Sequence, residues 1–466
     1  MPGLFASLNA SVSAIEAQSR ALEIAGKNLA NVNNAGYARQ RVTFGDRGQV
    51  VTALGAESLG LEAIGLSQIR DSLLDRQVLR ETALSASYTA SQSALQRAQA
   101  SLGQGIDRTS GTDAGTSTDT GIGAALDDLF NSFQSLAANP TDYGERQGLL
   151  HSTEILSDRL HLADQRLAQT QSDLDTQIAT DLASANGLLS SIANLNDQIT
   201  RFEINSPGSA VDLRDQRQTA LEKLAGYVAF DQTVSGSAVQ ISVHDTSGTS
   251  IPLVQGANVT ATLNFDGTTI TAGGTPVSLT SGSAAGALGA RDGAIQTLRD
   301  RLDALAQQLV TSVNTAYQSG GSSANFFDPT GLTAGTLRLA PGLTANSLQA
   351  GNSSAAGDNS VALAIANLAG QKFSTTSGAA IDGTFSNFFA STVSDLGQSL
   401  ASVNARVEEQ TSIQDIIVKQ RDSVSGVSLD EEMADLVRFQ RAFQASSRVV
   451  QTINELLDNV ISQLGR

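Results

Sequence analysis

The 466-residue chain has no cysteine and no tryptophan. The first absence excludes disulfides, thiol nucleophiles and cysteine-ligated metals. Aromatic residues make up only 4% of the sequence, so any core must be built mainly from Leu, Ile, Val and Ala. Only 7 prolines are present, which leaves long stretches without a helix breaker. Basic residues are outnumbered, 29 against 46 acidic ones, giving a net charge of −17. That balance argues against a nucleic-acid backbone as partner and otherwise means a solvated acidic surface. No run approaches the roughly 18 apolar residues of a membrane span. The segment Met1 to Arg20 lacks both the cationic start and the continuous apolar core of a cleaved secretory signal. Taken alone, those features read as a cytoplasmic chain.

Residues that carry chemistry are sparse. The 3 histidines, His151, His161 and His244, never stand three or four apart, so no zinc site is expected and each reads as an exposed side chain. Carboxylate clusters at Asp127–Asp128 and Asp430–Glu432 fall at helix starts, where capping and the helix dipole account for them. The Gly-, Thr- and Ser-rich stretch 103–123 has no lysine after its glycines and no strand before them, which makes it a loop and not a phosphate cradle. No nucleophile elbow, P-loop or dinucleotide fingerprint occurs. The expectation is a non-enzyme without cofactor or metal.

Apolar spacing is the main positive signal. Leu429, Leu436, Phe443, Val450, Leu457 and Leu464 recur in steps of seven, widened by Met433, Ile453, Val460 and Ile461. This is the seam of an amphipathic helix of about 60 Å, started by Ser428 with Glu431 at capping-box spacing. Leu8, Ile15, Leu22 and Leu29 form a matching row at the other end of the chain, with Phe5, Val12, Ala25 and Val32 beside it. That helix stops at Asn31–Gly36, residues that tolerate a left-handed backbone. The two seams are expected to pair. Periodicity leaves open whether they close one domain or join an intermolecular bundle. Lipid binding ranks lower, because Arg20 and Lys27 are balanced by Glu16 and Glu23.

Between the ends, residues 40–69 read as short strands with a possible hairpin at Gly45–Gly48, and 70–102 as helix. A short helix over 124–138 precedes a very long one over 143–205. In the long helix Leu160, Leu167, Leu174, Leu188, Leu195 and Phe202 make one row, Ile178, Ala185, Ile192 and Ile199 a second, and Asp181 interrupts the first. Sixty-odd residues of seam suit a rod-like domain. A further helix covers 211–224. From 228 to 279 β-branched and polar residues alternate, with turns at Asp266–Gly267 and Gly273–Gly274. Helices return at 284–317, 360–368 and 385–421. The fold class is therefore mainly α with an inserted β domain, elongated, its terminal helices paired as a coiled coil. The expected division is 1–40 plus 422–466, then 41–225 plus 284–421, then a small β domain at 226–283.

The stretch Asn28-Leu29-Ala30-Asn31-Val32-Asn33-Asn34-Ala35-Gly36-Tyr37-Ala38-Arg39-Gln40 resembles the N-terminal signature of flagellar axial proteins. Its ending, Tyr37 to Gln40, is similar to the hook-associated protein 1 family, as are Ser425 to Glu432 and Arg438 to Ala445 near the other end. The family usually has Thr-Pro where Asn34-Ala35 stands and Ser where Ala38 stands. Leu213 to Arg217 resembles a further family motif, and a Phe-Phe pair like Phe326-Phe327 precedes an extra domain in larger relatives, which is expected to be missing here.

The resemblance implies a structural part of the bacterial flagellum, a ring of copies at the hook–filament junction. It implies export through the flagellar type III channel without cleavage, and an extracellular location. The implied partners are further copies of the chain, the hook protein, the second hook-associated junction protein and an export chaperone on the C-terminal helix. The seam residues would mediate assembly, and Asn31, Asn33, Gly36, Tyr37, Arg39 and Gln40 would form the family turn. Two other readings remain: another axial protein of the hook, rod or second junction type, or a secreted coiled-coil protein acting on host surfaces.

Overall fold

A computed structural model describes residues 2–34, 36–52, 55–102, 121–319, 323–353, 355 and 357–464. The expected loop at 103–123 lies, as far as residue 120, outside them. The chain forms two compact units: residues 1–86, 181–282 and 410–466 make unit 1, and residues 87–180 and 283–409 make unit 2. Among the described residues no helix is long and apolar enough to cross a membrane.

Unit 1 holds both chain ends. Helices α1 (Pro2–Ala30) and α10 (Leu429–Leu464) pack against each other, with the last turns of α1 beside the first turn of α10. Four strands follow α1: β1 (Gln40–Asp46), β2 (Gln49–Thr52), β3 (Gly55–Ser58) and β4 (Leu61–Gln68). They nest, β2 pairing β3 inside an antiparallel β1–β4 ribbon. The hairpin expected at Gly45–Gly48 is thus not a β1–β2 turn. The ribbon lies on α1, and its closest approach is at Gly60, whose φ is +102°. A Cβ there would stand 2.7 Å from the Cα of Ala10, so only glycine lets the ribbon seat.

The β-rich stretch also belongs to unit 1. Strands β5 (Asp231–Ser235), β6 (Ala238–His244), β7 (Ser250–Gln255) and β8 (Asn258–Val259) form a four-stranded sheet in sequence order. A three-stranded one follows from β9 (Leu263–Phe265), β10 (Ile270–Ala272) and β11 (Thr275–Pro276). The expected turns at Asp266–Gly267 and Gly273–Gly274 connect β9 to β10 and β10 to β11. Two asparagines of α4 (Tyr143–Phe202) pin these sheets. Asn186 pairs with both backbone groups of Leu263. Asn196, fully buried, donates to the carbonyls of Val239 and Gly256 and accepts from the Val239 amide and from Arg217 of α5 (Val211–Tyr227). Every hydrogen-bonding position of the Asn196 amide is therefore filled.

Unit 2 is a helical core. It contains the rest of α2 (Ser72–Ser101), α3 (Ile122–Ala138), the first part of α4, α6 (Ser283–Ala290), α7 (Gln296–Gln318), α8 (Ser360–Asn367) and most of α9 (Phe385–Ser425). A π-helical turn, Arg291–Ile295, joins α6 to α7. Rings interlock at its centre: Phe133 on Phe326, Tyr317 on Phe326, Phe130 on Phe385 and Phe373 on Phe385, with centroids 4.9–5.8 Å apart. The Phe326-Phe327 pair singled out in the sequence is wholly buried. Asn314 holds it in place, accepting from both Phe amides and donating to the Phe327 carbonyl. Where α6 crosses α2, a Cβ on Gly286 would meet the Ser87 carbonyl oxygen at 2.1 Å, so that crossing requires glycine.

The long helix shows why a strict seven-residue row misleads over sixty residues. Leu160, Leu167, Leu174 and Asp181 are buried, but Leu188 and Leu195 are only half-buried and Phe202 is exposed. The second expected row, Ile178, Ala185, Ile192 and Ile199, becomes the core together with Leu182, Leu189, Asn196 and Glu203. A straight helix drifts about 20° per heptad, so the inward face migrates from one row to the other.

Candidate functional site at the meeting of the chain ends

The segment after α1 folds back against the start of α10, and a polar cluster fills the joint. Asn31 closes the helix: its side-chain amide donates to the Lys27 carbonyl at 2.9 Å. Asn28, 1% exposed, is the centre of the joint. Its carbonyl accepts from the Tyr37 hydroxyl (2.7 Å) and the Gln40 amide (3.0 Å), and its amide donates to the Gln40 carbonyl (2.9 Å) and to Glu432 Oε2 (3.0 Å). A buried side chain satisfied at all four positions fixes the path of the turn.

Arg39 completes the link. Its guanidinium is buried, and Nε donates to Glu432 Oε1 at 2.6 Å. The same group bonds Glu431 and stands 3.6 Å from Asp435. The side chains of Arg39 and Glu432 are 7% and 3% exposed, so this is a desolvated pair between residues almost four hundred positions apart. Glu431 and Glu432, read from the sequence as helix-start carboxylates, are also the partners of Arg39. Burial acts against its charge, but the hydrogen bonds it donates to Glu431 and Glu432, with their negative charges, outweigh burial and raise its pKa.

Helix α5 buttresses the turn. Gly36 lies beside Thr219, and its carbonyl accepts from Arg70. Arg70 also pairs with Asp215 (2.6 Å) and Asp75 (3.2 Å). Burial raises the Asp215 pKa, with Arg70 opposing. Asp212 takes hydrogen bonds from Lys27 (2.6 Å) and Gln40 (2.8 Å), which outweigh its burial and lower its pKa. Burial, with Asp212, Asp215 and Glu432 around it, raises the Tyr37 hydroxyl above its ordinary value. The Arg39 amide donates to the Ser425 carbonyl, and Arg421 binds Glu222 at 2.8 Å, so the end of α9 joins the same cluster. Every acid named here is engaged by a base or an amide. The arrangement is a clasp, and among the described residues no group of three or more His, Cys, Asp or Glu side chains is placed to hold a metal.

Of the predicted turn residues, Tyr37, Arg39, Gln40 and Gly36 are brought together in the clasp, Asn31 caps α1, and Asn33 is exposed. Of the predicted seam residues, Leu8, Ile15, Leu22, Leu29, Leu436, Phe443, Val450 and Leu457 are half-buried. Leu429 is 52% exposed, and the side chain of Leu464 lies outside what is described. The fully covered positions of α1 are instead Ser13, Ala17, Ala21, Ile24, Ala25 and Asn28, and on α10 they are Glu432 and Ile453. Sequence reasoning passed over Asn28, Asp212, Asp215 and Glu432 as parts of the site. The one available signal was the place of Asn28 and Glu432 inside the terminal motifs and of Asp215 inside the 213–217 motif, and Asp212 had none.

Two family descriptions match the chain. "Flagellar hook-associated protein FlgK helical domain" covers residues 113–327, and "Flagellar basal body rod FlgEFG protein C-terminal" covers residues 419–464. Flagellar hook-associated protein 1 of Bacillus subtilis (strain 168) is 27% identical over 523 residues, spanning 100% of this chain and 99% of the relative. The protein of that name from Escherichia coli (strain K12) is 24% identical and spans 98% of this chain and 99% of its own length. The solved flagellar hook junction protein FlgK of Burkholderia pseudomallei superimposes with a TM-score of 0.44 at 22% identity, covering 54% of this chain and 46% of that one.

Proposed function

We infer, from the premise that this chain is a relative of flagellar hook-associated protein 1 along its full length, that it is a structural component of the hook–filament junction of the bacterial flagellum. The observation that carries this reading is the clasp. It fastens the two family motifs to each other through Asn28, Arg39 and Glu432. It leaves a row of apolar side chains on the first turns of α10, Leu429, Met433 and Val437, 42–52% exposed. An apolar row on a helix already docked on one side is suited to contact with neighbouring subunits.

In this reading the chain leaves the cell uncleaved through the flagellar export channel and works outside it. It assembles as a ring of copies between the hook protein and the second junction protein, and an export chaperone covers the C-terminal helix beforehand. It contributes no catalysis. The division into 1–40 with 422–466, 41–225 with 284–421, and 226–283 is part of the proposal, the first of these being the part that packs on neighbouring copies.

The match of residues 419–464 to the rod-type C-terminal family favours one second reading, an axial protein lower in the flagellum. Deletion of the gene, with electron microscopy of the cells and assay of flagellin in the medium, separates the two. Hooks without filaments and flagellin lost to the medium are expected. Missing hooks would move the protein to the rod or hook, and normal flagella would remove it from the axial structure.

A further inference from the structure

From Arg441 onward α10 carries charges that have no ion-pair partner among the described residues. Arg441, Arg448 and Glu455 stand one heptad apart on a single exposed stripe, with Asp458 one turn further on. Residues at that spacing are about 10.5 Å apart along a helix, beyond salt-bridge reach. None of these four side chains has an ion-pair partner among the described residues, whereas Arg438 is paired with Asp435. On one flank of the stripe lie Val449 and Leu456, 47% and 48% exposed. The face is therefore apolar, cationic in its first half and anionic in its second.

We propose that this face packs in parallel on α10 of a second copy, offset by two heptads, so that Arg441 of one copy meets Glu455 of the next. The charge pattern selects that offset, about 21 Å. With no offset, equal charges face each other along the stripe. With one heptad, Arg448 meets Glu455 but Arg441 meets Arg448. With two, Arg441 meets Glu455, Gln444 meets Asp458 and Arg448 meets Ser462, and no like charges coincide. Complementary charge with a penalty on the wrong registers is how helices select an offset. A fixed offset between identical neighbours generates a ring or helix of subunits and not a closed pair. The inference rests on the junction reading above and names the surface by which copies meet.

The test is charge exchange in the full chain, expressed in the deletion strain. Arg441→Glu and Glu455→Arg each place like charges at the contact and are expected to lower the fraction of filamented cells by about tenfold, as unfavourable juxtapositions do. The double exchange is expected to restore it to within about twofold of the parent. A double variant no better than the single ones, or single ones without effect, overturns the proposal. So does loss of the single variants from the exported fraction, which would assign the charges to export.

Because the chain has no cysteine, disulfide mapping is clean. Arg441→Cys with Glu455→Cys should give a ladder of linked copies in exported protein, whereas either alone should not. Dimers from Arg448→Cys alone would mean an antiparallel or an unshifted parallel pair, and either overturns the offset. Normal flagella in the deletion strain would defeat the junction reading separately, with the ladder still deciding the packing.

Discussion

Arg39, Asp75, Glu81, Asp181, Glu203, Asp215, Arg217, Arg421 and Glu432 are all buried charges of unit 1, while in unit 2 Asp328 stands alone among the described residues. Large apolar side chains show the reverse. Unit 2 leaves Tyr143, Leu162, Leu332 and Leu363 exposed, whereas unit 1 leaves whole stretches of α10 and the end of α9 uncovered. Unit 2 is closed by rings and leucines brought together over its helices. Unit 1 is closed by ion pairs and asparagines, with apolar surface left outside. Buried ion pairs are weak contributors to net stability but strict about geometry, since removing one partner leaves a desolvated charge. The contrast is between a unit closed by apolar packing and a unit in which polar links hold the chain ends in one register.

That contrast can be broken in order of expected effect. Phe326→Ala removes the ring shared by Phe133, Tyr317 and Phe327 and should cost about 4 kcal/mol in a denaturant titration, as large core deletions do. Glu432→Ala leaves Nε of Arg39 and one N–H of Asn28 without a partner in a buried joint and should cost about 3 kcal/mol. Replacing both partners, Arg39→Met with Glu432→Leu, should recover much of that loss. If the double replacement is as unstable as Glu432→Ala, the clasp is a source of stability and the contrast with unit 2 fails.

Acid gives a third handle. Glu203 is buried, but hydrogen bonds from Arg214, Ser237 and the backbone of Gly208 and Ala210 outweigh that burial and lower its pKa from 4.5 to about 2. Its contribution is therefore complete above pH 4.5 and lost as pH falls toward 2. The loss should reach about 2 kcal/mol, discounted because Arg214 is partly exposed. Glu203→Gln should flatten that limb of a pH–stability curve. At the small end, Arg20→Ala breaks an exposed pair with Glu23 and should change stability by under about 0.5 kcal/mol. A larger change would mean that the outer face of α1 is already covered.

Much of the fold was legible in the sequence. The long helix expected at 143–205 is Tyr143–Phe202, the helix expected at 211–224 runs to Tyr227, and both turns expected in the β stretch connect successive strands. These features are local: helical period, Asn-Pro and Ser-Pro breaks, Asp-Gly and Gly-Gly turns. The candidate site was legible only as motifs. Tyr37 and Arg39 were picked out, but Asn28 entered only as the first residue of the signature and Glu432 as dipole compensation at the end of a motif. The β1–β2 hairpin went wrong for a related reason. Gly45 and Gly48 fit a turn equally well whether the next strand or the one after it returns to pair.

The sequence by itself determined where the chain is helical or extended, that both ends carry apolar stripes, and that thiol chemistry is excluded. Those properties depend on residue type and on neighbours within a turn or two. Only the tertiary structure decided which polar residues are buried, because the partner that makes burial tolerable comes from far along the chain. Arg39 finds Glu432, Asn196 finds Val239 and Gly256, and Arg70 finds Asp215. It also decided which of two apolar rows in α4 faces inward, since helical drift is fixed by what packs against each turn.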